Sequence, residues 1–382
     1  MKNITFGRTD TSIVGRWWWT VDRMLLTAIL LLIVIGIILL MAAGPAAAGR
    51  INADPLHFVR RQFVFLPPAL FVIFIVSLLS PQGVRRVALV AFATALLLLM
   101  IAPLTGPAIK GATRWVYIGG LSIQPSEFVK PAFAVVSAWM FSEGRMNPNF
   151  PGFRVCMVLY AMTAGLLIIQ PDFGQTMVIS AMWGVQFFLA GLPLILVVVL
   201  FALSLVGAVG AYMLLPHVQS RVDRFLNPES GDTYQIEKAM QAFRDGGFLG
   251  RGPGEGRVKE LLPDSHTDFI FAVAGEEFGL ILCLLVVGLF AFVVIRAMSR
   301  AMSRAMQENN LFVMIGVGGL TVQFGMQALV NMASSLHMMP TKGMTMPFVS
   351  YGGSSMLGLA LGVGMMLALT RRHVGGVPGS PS

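Results

Sequence analysis

The chain has 382 residues, 56% of them hydrophobic and only 12% charged, with a formal net charge of +9 and a mean hydropathy of +0.76. Soluble domains carry roughly 25% charged residues, so a chain this poor in charge has most of its surface dissolved in lipid. Its basic residues lie between apolar runs without aromatic interleaving; this excludes a nucleic-acid surface and points to membrane lipids and an anionic substrate as partners. The two cysteines, Cys156 and Cys283, sit inside apolar runs and imply neither a disulfide nor a zinc site.

Residues 1–23 are polar and basic, and Trp17, Trp18 and Trp19 read as interfacial anchors. Apolar runs near the length that crosses ~30 Å of hydrocarbon follow. The clear ones are 24–43, 62–79, 87–104, 192–215, 269–295, 311–333 and 356–369; 128–141, 153–169 and 175–190 are shorter or carry Lys, Pro or Gln. Such interrupted runs mark helices that line a polar cavity. The expected fold is an all-α polytopic membrane protein of about ten transmembrane helices over residues 24–372. One large extracytoplasmic loop is expected at 216–267, and a disordered Gly/Pro/Ser-rich tail at 373–382. Within the loop, residues 234–243 read as a half-apolar helix lying on the bilayer, followed by flexible glycines.

Placing the N-terminus in the cytoplasm puts Arg16, Arg23, Arg85, Arg86, Arg145, Arg154, Arg296, Arg300, Arg304, Arg371 and Arg372 inside. The opposite short loops carry fewer basic residues, mainly Arg50, Arg60, Arg61, Lys110, Arg114 and Lys342. The positive-inside rule therefore predicts that both termini are cytoplasmic.

Four motifs bear chemistry. In Leu261-Leu-Pro-Asp-Ser-His-Thr-Asp-Phe-Ile-Phe271, three ionisable side chains, Asp264, His266 and Asp268, stand at the mouth of a membrane helix. Asp268 suits a helix N-cap, where the dipole favours a carboxylate. It equally suits a general base, because partial desolvation raises a carboxyl pKa. Glu276 and Glu277 lie two turns deeper. At that depth a structural ion pair is the favoured reading, with Lys130 and Lys342 as partners. In Gln124-Pro-Ser-Glu-Phe-Val-Lys130, Ser126 is a candidate cap. Glu127 and Lys130 there either neutralise each other at i, i+3 or hold a lysine at the outer interface for a phosphate. Gln170-Pro-Asp-Phe-Gly174 is a turn, with Asp172 structural. The run Pro340–Ser355 is a polar, glycine-rich outer loop that is either a connector or an anion nest to which Lys342 adds charge. The chain has no Walker loop, HExxH or GxSxG motif, so no nucleotide cofactor is expected.

Taken together, these motifs resemble the SEDS family of bacterial cell-wall proteins, from the first helix to Arg372. The most specific parts are Pro263-Asp-Ser-His-Thr-Asp-Phe-Ile-Phe-Ala272, Gly275-Glu-Glu277 and Ser350-Tyr-Gly-Gly-Ser-Ser355. Pro340-Thr-Lys-Gly343 is similar to the division branch of the family. The resemblance implies ten spans with a large outer loop and glycosyltransfer from lipid II at the septum of the inner membrane. It also implies joint action with a class B penicillin-binding protein and other division proteins. It places the proposed catalytic aspartate on Asp268 and an activating glutamate on Glu260. Asp264 stands where many members have Glu, and the Gly252–Gly256 stretch also departs from the commoner form.

An inverting transfer would require a base for the acceptor hydroxyl and cations for the departing undecaprenyl diphosphate. Lys130, Lys342 and Arg114 are the candidate cations, and Glu127, His266, Thr267, Ser350 and Ser354 are further candidate substrate contacts. A divalent cation, Mg or Mn, could assist. A lipid II flippase or transporter, which would hold its key charges near the midplane, and a non-catalytic division scaffold are the alternatives.

Overall fold

The computed structural model describes residues 12–106, 113–191, 193–214, 216–226, 234–340 and 343–372. A short helix, α1 (Ile13–Thr20), leads into α2 (Arg23–Arg50), α3 (His57–Ser77) and α4 (Pro81–Thr105). A hairpin of β1 (Val116–Ile118) and β2 (Leu121–Ile123) precedes α5 (Pro125–Met146), α6 (Gly152–Ile169), α7 (Phe173–Leu189) and α8 (Leu194–Leu214). The stretch expected as one large loop holds α9 (Pro216–Leu226), α10 (Tyr234–Gly246) and α11 (Val258–Leu261). Three long helices close the fold: α12 (Ile270–Glu308), α13 (Leu311–Ser335) and α14 (Gly353–Thr370).

The helix starts follow local chemistry. Ser12 Oγ caps the Gly15 amide at 3.0 Å, an Asp22 carboxylate oxygen caps Leu25 at 3.1 Å, and Ser80 Oγ caps Gly83 at 3.2 Å ahead of Pro81. Every expected apolar run falls on a helix. Among the described residues seven helices, α2, α3, α4, α6, α12, α13 and α14, are long and apolar enough to cross a membrane. The β1–β2 hairpin was not expected. It turns through Gly119 and Gly120, whose φ angles of 57° and 82° suit a two-residue hairpin loop.

The bundle centres on α5, α13 and α14. Within their most apolar windows α14 is 89% and α13 72% buried, against 28% for α3, α6 and α12, so lipid contact falls to the latter. Gly358 lets α14 lie against α5, since a Cβ there would meet the Glu127 carbonyl oxygen at 2.5 Å.

The helix α12 is broken at Gly279, where φ is 71° and ψ is −169°. The chain segment after α10 repairs the break. The Glu276 carbonyl accepts from the Arg251 amide at 2.9 Å and the Glu277 carbonyl from Gly252 at 3.0 Å. Beyond the break, Leu280 and Ile281 amides donate to the carbonyls of Gly247 and Phe248 at 3.0 and 3.4 Å. A backbone group left unpaired among apolar side chains costs several kcal/mol, which is why a membrane helix can break here only with a partner segment in place. Through this contact α10 rests on α12, with Ala239, Ala242 and Gly246 buried and Phe243 edge-on to Phe271 at 5.7 Å.

Past Ile295, α12 continues as a basic extension. Asp22 accepts from Arg296 at 3.0 Å and Arg300 at 2.5 Å, while Arg304 binds Glu308 at 3.0 Å and the Leu369 carbonyl at 2.6 Å. These bonds tie α12 to α2 and α14.

Candidate functional site

The turn that delivers the chain into α12 is built on Asp264, held in the left-handed region at φ 54°, a conformation Asp tolerates better than most residues. Its carbonyl collects the amides of Thr267, Asp268 and Phe269 at 3.1, 3.1 and 3.3 Å, and Thr267 Oγ1 at 3.2 Å. The N-cap position of α12 belongs to Phe269, so neither Asp268, Thr267 nor Ser265 occupies it.

The loop before α14 closes over this turn. Ser350 Oγ donates to the Thr267 carbonyl at 2.6 Å and accepts from the Met346 amide at 2.9 Å. The Tyr351 amide donates to the His266 carbonyl at 3.0 Å. The His266 ring packs against Phe58 at 4.1 Å and Tyr351 at 5.7 Å. Burial pushes its pKa down to about 4, with Asp264 opposing and Arg50 reinforcing the shift, so the imidazole is neutral near pH 7. Asp268 itself is half-buried. Its carboxylate lies so close to the loop that a Cβ on Gly343 would stand 3.3 Å from Oδ2.

A second polar group lies inside the bundle. Lys130, expected at the outer interface, is fully enclosed. Its Nζ is 3.0 Å from Glu127 Oε2 and 3.0 Å from Gln327 Oε1, while Gln175 Nε2 donates to Glu127 Oε1 at 2.8 Å. A buried ammonium is tolerable only with such partners. Ser126, expected as a cap, caps nothing: α5 starts at Pro125 after Gln124, and the Ser126 hydroxyl has no protein partner. Arg114 is engaged with the 170–172 turn, donating to Gln170 O at 3.1 Å and Pro171 O at 2.5 Å, with Asp172 at 3.7 Å. Burial raises the pKa of Asp172 although Arg114 and Lys130 pull the other way. Ser354 binds the start of α5, donating to Ser122 O at 3.1 Å and accepting from the Gln124 amide at 3.2 Å.

The face of α13 joins the two groups. Gln327 takes Lys130 on its oxygen and gives its amide to Thr345 O at 3.1 Å, and Thr345 Oγ1 is 2.7 Å from Ser355 Oγ. One turn on, Asn331 donates to Asp268 O at 3.0 Å and to Met344 O at 2.6 Å. Sequence reasoning missed Gln327, Asn331, Gln175 and Thr345. The available signal was three amide side chains, Gln323, Gln327 and Asn331, at i, i+4 and i+8 in a predominantly apolar spanning helix. Around these groups Asp172 Oδ2, Gln175 Oε1, Gln323 Oε1 and Asn331 Oδ1 are buried without a protein partner, which marks a polar interior suited to water or substrate hydroxyls.

Two expectations need correction or restriction. Glu276 and Glu277 do not pair with Lys130. Glu276 accepts the amides of Arg257, Val258 and Lys259 at 2.7, 2.7 and 3.0 Å, and Glu277 pairs with Lys259 Nζ and takes the Gly254 amide at 3.1 Å. The ion-pair reading holds with a partner from the repairing segment, because the break in α12 draws that segment in. Lys342 lies outside the described residues. Glu260 is exposed on α11, its carbonyl 2.5 Å from Arg50 Nη2. No three His, Cys, Asp or Glu side chains among the described residues are gathered to hold a metal ion.

These features define a multi-pass membrane protein with an ion pair sealed among its helices and a carboxylate at the mouth of one of them. The family described as "Cell cycle protein", FtsW/RodA/SpoVE, matches residues 22–374. The chain belongs to this family. It is 46% identical over 371 residues to the probable peptidoglycan glycosyltransferase FtsW of Caulobacter vibrioides, covering 97% of this chain and 94% of that one. It is 36% identical to the protein of the same name from Trichlorobacter lovleyi, over 83% of this chain and 84% of the relative. Among solved structures it is similar to a chain of a peptidoglycan synthase complex in which polymerization and crosslinking are coordinated (TM-score 0.76, 28% identity, 92% of this chain and 98% of that one). The rod shape determining protein RodA of Thermus thermophilus is also similar (TM-score 0.67, 26% identity, 92% and 97%).

Proposed function

We propose that this chain is a peptidoglycan glycosyltransferase of the division septum that polymerises lipid II with Asp268 as general base. The observation that carries the reading is the setting of Asp268: half-buried at the start of α12, against the 343–346 loop, and linked through α13 to the buried Lys130. The acceptor sugar's 4-hydroxyl gives its proton to the Asp268 carboxylate as its oxygen attacks the anomeric carbon of the donor. The bond from that carbon to the diphosphate oxygen breaks, the configuration inverts, and undecaprenyl diphosphate leaves. Arg114 and Lys342 are the cations proposed for the departing charge; Lys130 is enclosed with Glu127 and Gln327 and does not meet it directly. The enzymatic reading is supported by the relatives named as probable peptidoglycan glycosyltransferases. The likeness to a synthase complex supports a class B penicillin-binding protein as partner, with Glu260, exposed on α11, tuning activity at that contact. In this reading both termini are cytoplasmic and the start of α12 faces outward.

A flippase reading draws on the enclosure of the Glu127–Lys130 pair deep in the bundle, as a transporter would require. Polymerisation of lipid II by purified protein with its transpeptidase separates the two. Asp268→Asn should fold, bind the partner and lose about 10²–10⁴-fold in rate. Glycan synthesis at near wild-type rate by that variant would remove Asp268 from the chemistry.

A further inference from the structure

We infer that Asn331 is the positioning residue of the active site, a clamp that sets the Asp268 carboxylate against the 343–346 loop. The inference rests on the reading of Asp268 as base. Asp268 belongs to an irregular turn before the first turn of α12, and three backbone amides of that turn, those of Thr267, Asp268 and Phe269, converge on the Asp264 carbonyl. A carboxylate carried on such a turn needs an anchor from a rigid element if it is to meet a hydroxyl within hydrogen-bond reach.

Asn331 supplies that anchor from near the C-terminal end of a buried helix. Its side chain is 1% exposed. A primary amide has two N–H donors, and both are used: one on the Asp268 carbonyl at 3.0 Å, the other on the Met344 carbonyl at 2.6 Å. One side chain thus holds the backbone that carries the base and the backbone of the loop that faces it. The spacing it fixes is narrow, since a Cβ on Gly343, next to Met344, would reach within 3.3 Å of Asp268 Oδ2. Gln327, one turn earlier on α13, clamps the following residue of the same loop, Thr345, and holds Lys130 with its oxygen. The helix therefore acts as a ruler between the base and the buried cation. The Oδ1 of Asn331 is itself buried with no protein partner.

A residue that only satisfied two carbonyls would affect stability. A positioning residue also affects turnover, and only when the base is present. The test is steady-state polymerisation by the full-length chain with its transpeptidase, for wild type, Asn331→Ala, Asp268→Asn and the double variant, with thermal midpoints alongside. Asn331→Ala should lower kcat by about 10²-fold, the scale of a ~1 Å misplacement, leave KM for lipid II within about twofold, and cause no further loss on Asp268→Asn. Asn331→Leu, which matches the volume without the donors, should behave alike. A wild-type kcat in folded Asn331→Ala, or the same fractional loss on top of Asp268→Asn, overturns the inference. Failure of both Asn331 variants to fold would make the residue structural and also overturn it. Wild-type activity of Asp268→Asn would instead sink the base reading, so the two failures are distinguishable.

Discussion

His266 shows how a titratable side chain next to the proposed base is taken out of acid–base service. Its ring lies between Phe58 and Tyr351, and burial lowers its pKa from 6.5 to about 4. The sign of the stability effect follows. Above pH 6.5 the ring is neutral in folded and unfolded chains alike and contributes no slope. Between pH 6.5 and 4 the unfolded chain binds a proton that the folded chain refuses, so stability falls as pH falls. Replacing His266 by Phe removes that proton and keeps the aromatic packing. The thermal midpoint of the wild type should therefore drop more steeply across pH 6.5–4 than that of His266→Phe; parallel curves would place the ring in contact with water. Lys130 makes a complementary point. Its position in the sequence suited an interfacial phosphate ligand, yet it is enclosed by Glu127 and Gln327, because the helix that carries it is the one the others surround.

At the scale of the element, the broken α12 and the segment after α10 form one unit. Four backbone hydrogen bonds cross the break, and the two glutamates before it hold the segment's further course through the amides of 257–259 and through Lys259. Glu276→Ala leaves three amides without their acceptor, at about 1–3 kcal/mol for each one that stays buried. The segment should then open, and trypsin should cut after Arg251, Arg257 or Lys259 at least tenfold faster than in the wild type, with the bundle intact. Unchanged cleavage would mean that the backbone bonds alone hold the segment. The sequence marked the glutamates as an ion pair at membrane depth with Lys130 or Lys342 as partner; Lys130 pairs with Glu127 instead, Lys259 takes Glu277, and Lys342 lies outside the described residues. The break is invisible in composition, because a glycine inside an apolar run reads as a small packing residue as readily as a kink. The β1–β2 hairpin was legible in Gly119-Gly120 flanked by β-branched and aromatic residues, and was passed over among longer apolar signals.

For the whole molecule, α5, α13 and α14 form a centre poor in lipid contact, around which the more exposed helices stand. The α12 extension is bound by Asp22 at the start of α2 and by the carbonyls at the end of α14, so it lies at the same end of the bundle as the start of α2 and the end of α14. In the proposed orientation, which follows the excess of short-loop arginine, that end is cytoplasmic. Both native cysteines are buried and Ser303 is exposed on the extension, so Ser303→Cys is a reporter with little background. An impermeant maleimide added to intact cells should leave it unlabelled, and permeabilisation should expose it. Labelling from outside would invert the orientation and put the mouth at Asp268 on the wrong side for an outward-facing polymerase.

The sequence by itself determined the membrane class, the position of each apolar helix and the placing of Asp268 at a helix mouth. These depend on run length, hydropathy and neighbours within a few residues, and such information is local in the chain. Tertiary structure alone decided the partners. Lys259 meets Glu277 across 18 residues, Asn331 meets the Asp268 carbonyl across 63, and Gln327 meets Lys130 across 197. Such pairings depend on which helix faces pack together and where a helix breaks. Nothing in the local pattern of an apolar run specifies which other run its few polar side chains will face.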